Sequence, residues 1–233
     1  MGMKIKGKII FPHVYVLTFK TRYELCMSFV RLQEFYESPK FRGKYFTLEE
    51  FMDYWAREFG NGAFDYTALW NGFNLPGKVI EKWEDLFCSE ERLIRDLIRD
   101  KEDVLIRKIW EMIESEDTEY ENIYVIGVHG KGSKSRRDET IEHESAHAFY
   151  TLYPEYKKSC NELLKKVPKG KYQKALDKLT KKGYCKSVIK DELQAYYSTQ
   201  QDAVYDPLNL LSSRKEFVDN FKEFKKKLTS KEK

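Results

Sequence analysis

A chain of 233 residues has room for one large domain or two small ones, and its 41% hydrophobic and 15% aromatic content excludes a disordered chain. Its 42 basic and 38 acidic residues leave a net charge of +4, too even a balance for a chain built as a whole to bind nucleic acid. No stretch reaches the roughly 20 uninterrupted apolar residues of a membrane span, and Met1 to Lys8 alternates Lys with apolar residues instead of forming a signal region, so a cytoplasmic protein with no membrane partner is expected.

His13 to Phe19 is β-branched and aromatic and predicts a strand. Arg22 to Glu37, closed by Ser38 and Pro39, carries Leu25, Phe29, Leu32, Phe35 and Tyr36 at helical spacing. Thr47-Leu48-Glu49-Glu50 is a capping box, in which the Thr hydroxyl and the Glu side chain satisfy N–H groups that no helical carbonyl reaches. It opens a helix with Phe51, Tyr54, Trp55 and Phe59 on one side and Gly60 as its stop. Asn61 to Gly77 is turn-rich and aromatic. Lys78 to Ser115 reads as helix in two or more pieces, with Ser89 a cap before Leu93, Leu97, Leu105, Ile109, Trp110 and Ile113, and its large aromatics are expected in the core.

The acidic stretch Glu114 to Glu121 gives way to Ile123-Tyr124-Val125-Ile126-Gly127-Val128, a short apolar run that predicts a strand. Gly130 to Arg137 is glycine- and charge-rich and predicts an exposed loop. Asp138 to Tyr150 follows as a helix, ended near Tyr153-Pro154. Two lysine-rich helices, Glu155 to Lys166 and Tyr172 to Lys182, precede a further one from about Cys185 to Val204, stopped before Pro207. The twelve lysines from Lys157 to Lys190 face only Glu162 and Asp177; without interleaved aromatics they read as a solvated face. The cysteines Cys26, Cys88, Cys160 and Cys185 contain no C-x-x-C pair and are expected reduced.

The chemistry concentrates in Thr140-Ile141-Glu142-His143-Glu144-Ser145-Ala146-His147-Ala148-Phe149, which contains H-E-x-x-H. Residues four apart on a helix differ by about 40° in direction, so His143 and His147 leave one face a turn apart and can chelate one Zn²⁺. Glu144 stands beside the first ligand, within reach of an activated water whose proton it can take and later pass to a leaving amine. Hydrolytic zinc requires a third protein ligand. The metzincin pattern would place it as a downstream histidine, but its glycine and histidine positions here hold Tyr150 and Tyr153, and the other histidines, His13 and His129, lie upstream.

A carboxylate from a later helix is the better candidate. Asp191-Glu192-Leu193-Gln194-Ala195-Tyr196-Tyr197 resembles the glutamate helix of the gluzincin metallopeptidases, where the ligand Glu follows Asn or Asp and has a small residue three positions on. The resemblance covers roughly Asp138 to Tyr150 and Lys186 to Gln201. It implies Glu192 as third ligand, with Glu155, Glu162 and Asp177 as fallbacks, and a later Tyr as oxyanion donor, either Tyr196 or Tyr205. Tyr196 occupies the place where the thermolysin type has an Asp orienting the first histidine, so the partner of His143 is open. Zincins also set an edge strand beside the metal helix. Ile123 to Val128 is either that edge, with Tyr124, Ile126 and Val128 binding substrate by backbone pairing, or an interior strand.

The expected fold is therefore α+β and zincin-like, a small mixed sheet with a predominantly helical remainder. Its regions are residues 1–118, an N-terminal strand, backing helix and aromatic helical subdomain, and residues 119–233, the zinc-binding catalytic region, unless the whole is one compact domain. The expected function is a zinc metallopeptidase, a hydrolase acting on a peptide or protein, with no nucleic-acid partner and the oligomeric state open. The alternative is a nucleic-acid- or protein-binding module with a structural or degenerate zinc site and lysine-rich contact helices.

Overall fold

The structure, a computed structural model, describes residues 2–87, 100–181, 188–199 and 211–230. Of the residues singled out above, Cys88, Ser89, Leu93, Leu97, Cys185 and Tyr205 lie outside that set. The chain divides into two compact units, Met1–Ile141 and Glu142–Lys233.

The first unit is built on a four-stranded sheet ordered β1-β2-β4-β3. Strands β1 (Lys6–Phe11) and β2 (Val14–Phe19) form an antiparallel hairpin. His13, read above as the first strand residue, instead sits in the turn at φ 61°, in the left-handed region that strands do not use. Helix α1 (Arg22–Glu37) starts at a second capping box, Thr21 with Glu24, and α2 (Leu48–Glu58) at the predicted one, Thr47 with Glu50. β3 (Gly72–Pro76), α3 (Gly77–Phe87), α4 (Asp100–Ser115) and β4 (Tyr124–His129) also belong to this unit, as do the first turns of α5 (Lys134–Leu152).

β4 pairs in parallel with β2 from Val14↔Tyr124 to Phe19↔His129, and antiparallel with β3 from Gly72↔Val128 to Pro76↔Tyr124. Both of its sides are therefore hydrogen-bonded within the sheet. This corrects the edge-strand reading and with it the assignment of Tyr124, Ile126 and Val128 to substrate. The three are 0%, 0% and 1% exposed, and an unbroken apolar run is the pattern of a strand buried on both faces. Their strand also belongs to the sheet of the first unit, so the division falls between Ile141 and Glu142 and not at residue 118.

Helix α1 lies against this sheet where Gly127 allows it. A Cβ at that position would meet the Phe29 ring at 2.6 Å, so a side chain would push the helix off the strand. Phe29 stacks on Phe73, with ring centroids 5.4 Å apart. Two residues after Phe29 on α1, the buried Arg31 guanidinium forms two bonds to Glu102, at 2.9 and 3.0 Å, and Trp83 donates to the same carboxylate at 2.8 Å. Trp83 is in the core as expected, whereas Trp70 and Trp110 are exposed.

The second unit is helical: the remainder of α5, then α6 (Pro154–Lys166), α7 (Lys169–Lys181), α8 (Ile189–Thr199) and α9 (Leu211–Ser230). Pro154 stands at the start of α6, where its missing N–H costs nothing. Phe149 of α5, Tyr156 of α6, and Phe221 and Phe224 of α9 form one aromatic cluster. Leu164, Leu179, Leu193, Tyr197 and Phe217 form a second core around α8. The molecule is thus α+β, with a small mixed sheet and a predominantly helical remainder, as the sequence predicts. Among the described residues no helix is long and apolar enough to cross a membrane. Cys26 and Cys160 are buried free thiols.

Candidate metal centre

Helix α5 carries His143, Glu144 and His147, and α8 brings Glu192 to them. One ligand atom from each of His143, His147 and Glu192 lies within 4.8 Å of the others. Nε2 of His147 is 3.7 Å from Oε1 of Glu192, close to the spacing of about 3.4 Å between ligand atoms held tetrahedrally at about 2.1 Å from one zinc ion. Glu144, His147 and Glu192 are all buried. The fallback ligands are elsewhere: Glu155 pairs with Lys227, Glu162 with Lys165, and Asp177 accepts from Gln173, all exposed.

Each histidine is held through its Nδ1, which leaves Nε2 for a metal. Nδ1 of His147 bonds Oδ1 of Asp191 at 2.9 Å. That carboxylate is fixed in turn by Gln194, whose amide donates to Asp191 at 2.9 Å and to the Ala146 carbonyl at 3.0 Å, while Tyr156 donates to the Gln194 oxygen at 3.2 Å. Nδ1 of His143 bonds Oγ1 of Thr199 at 3.0 Å. The tie that Tyr196 cannot supply as an Asp would therefore comes from Thr199. Such outer partners set ring orientation and tautomer and are part of a metal site.

Electrostatically the site is a hole for positive charge. Burial pulls the His147 imidazolium down, but Asp191, Glu192 and Glu144 more than offset that and raise its pKa well above the usual histidine value. Burial and the neighbouring His147 hold His143 down to about 3, so its ring is neutral, the form that binds metal. Two imidazoles and a carboxylate are the donors borderline zinc prefers, and the negative charge that holds a proton on His147 is what a dication would neutralise. The residues present fit a zinc ion.

The Tyr196 ring lies 5.1 Å from that of His143, centroid to centroid. Tyr197 faces away, buried and stacked on Phe217 at 4.8 Å. His129 ends β4 in the first unit, its pKa lowered by burial and by Arg22 and Arg137. Sequence reading missed Thr199 and Gln194 as partners of the ligands. Thr199 had a signal, since residues 192, 195, 196 and 199 fall on one helical face. Gln194 had none. Comparison with known protein families, with curated proteins and with solved structures finds no match for this chain.

Proposed function

We propose that the chain is a zinc-dependent peptidase of the gluzincin type, with His143, His147 and Glu192 as ligands and Glu144 as general base. The observation that carries this reading is the meeting of the H-E-x-x-H helix with Glu192, four buried or partly buried groups of which three have donor atoms within 4.8 Å of one another. A bound zinc ion supplies the positive charge that acidifies a water and polarises the scissile carbonyl.

The remaining work falls to side chains. Glu144 follows a ligand in sequence and its charge reaches His147, which supports its role as the group that accepts a proton from water and returns it to the leaving amine. Tyr196, beside His143, is the described candidate for a hydroxyl donor to the developing oxyanion; Tyr205 lies outside the described residues. Asp191 and Gln194 keep the His147 ring in one orientation. In the lysine-rich helices on which the nucleic-acid-binding alternative rests, Lys165 and Lys166 pair with Glu162 and Glu216.

The test is metal content and peptide cleavage by wild type and Glu144→Gln. Wild type is expected to retain one zinc per chain and cleave. The variant keeps the zinc and loses about 10²- to 10⁴-fold in rate. Zinc bound without cleavage of any member of a peptide library would overturn the enzyme reading.

A further inference from the structure

We infer that Thr199 is the positioning residue that fixes the His143 tautomer, doing with a neutral hydroxyl what a carboxylate does for His147. The inference rests on the metal-binding half of the function proposed above and not on catalysis.

The Thr199 hydroxyl has one proton and two lone pairs. It lies 2.8 Å from the Ala195 carbonyl, four residues back on α8, and donates to it, the usual bond of a threonine inside a helix. With that proton committed, Oγ1 can only accept from His143 Nδ1, 3.0 Å away. His143 must then carry its proton on Nδ1 and keep its lone pair on Nε2. If the hydroxyl donated to Nδ1 instead, the proton of a neutral His143 would sit on Nε2 and block that nitrogen as a ligand.

The neutral partner also suits the charge of the site. Asp191, Glu192 and Glu144 already act together on His147. Those three carboxylates already carry one more negative charge than a dication balances, so a second outer carboxylate beside His143 would widen the excess, whereas a hydroxyl adds none. Thr199 further lines a cavity of about 410 Å³ together with Arg214, Val218 and Phe221. Truncation to Ala would let a water take the hydroxyl's place. The informative variant is therefore Thr199→Val, which keeps the shape and removes the polar atom, with Thr199→Ser as the conservative control.

Two measurements on the full chain decide it. Zinc affinity, by competition with a chromophoric chelator, is expected to fall about 10-fold or more in Thr199→Val and to stay near wild type in Thr199→Ser. Imidazole ¹⁵N NMR of the metal-free protein at neutral pH is expected to find His143 protonated on Nδ1 in wild type and in Thr199→Ser, and on Nε2 in Thr199→Val. A Thr199→Val protein with wild-type zinc affinity, or an Nε2-protonated His143 in the metal-free wild type, would overturn the inference. Failure of the wild type to bind zinc would sink the proposed function separately, since the tautomer is read without metal.

Discussion

Glu34 is a carboxylate in the wrong surroundings for a charge. Burial in the aromatic core pushes it up to about 7, with the bonds from Tyr66, at 3.1 Å, and Ser38 pulling only part of the way back. In the unfolded chain it titrates near the ordinary value of about 4.3. Between those two values the folded protein holds a proton that the unfolded chain has released, so stability falls as pH rises through the interval. The group's favourable contribution is whole below about pH 4.3 and gone above about pH 7, a difference of at most about 4 kcal/mol, less what solvent screening removes. Glu34→Gln keeps an acceptor for Tyr66 and removes the charge. Urea unfolding from pH 5 to 8 is expected to find the variant gaining on wild type steadily and levelling off above pH 7; parallel curves would mean that Glu34 is not held so high. The residue-scale chemistry of the candidate metal site was more legible than this. Spacing alone placed His143, Glu144 and His147, because four-residue spacing has one meaning on a helix, whereas the burial of Glu34 depends on Tyr66, far away in sequence.

Elements are joined in the first unit by a buried charge. Arg31 on α1 and Glu102 on α4 are 2% and 7% exposed at the side chain, and Trp83 on α3 donates to the same carboxylate. Burying this pair was costly, and removing one half leaves the other without a partner. Glu102→Ala is expected to cost about 3–5 kcal/mol, read as a lowered denaturant midpoint, while the pair Arg31→Met with Glu102→Leu recovers most of the loss. A single variant no less stable than the double would contradict this. Sequence reading found β2, α1, α2, β4 and the helices from α5 to α8, because each has a period or a cap. It missed β1, where the alternation of Lys with apolar residues served only to set aside a signal region. It also missed β3, whose Gly72 and Pro76 read as turn residues, although proline is tolerated at the end of an edge strand. α9 was overlooked despite Phe217, Phe221, Phe224 and Leu228 on one stripe. The order of the sheet was not legible at all, since the same apolar run serves an edge or an interior strand until its partners are known.

At the scale of the whole molecule, the aromatic sheet belongs to one compact unit and the cluster of His143, His147 and Glu192 to the other, and a zinc contribution to the second unit is open to measurement. The ligands reach across from α5 to α8, two helices that α6 and α7 separate in sequence. A zinc ion bound to both favours the folded second unit by an amount set by mass action, about 2.7 kcal/mol at 100-fold excess over Kd. All four tryptophans, Trp55, Trp70, Trp83 and Trp110, belong to the first unit, so circular dichroism, which follows helices in both units, is the signal to use. Zinc is expected to raise the helical melting temperature of wild type, and a chelator to lower it. Glu192→Ala removes one of three ligands and is expected to abolish most of that shift, while Glu144→Gln, which leaves the ligands in place, preserves it. An undiminished shift in Glu192→Ala would put the metal on other residues and return the third ligand to the exposed carboxylates of α6 and α7.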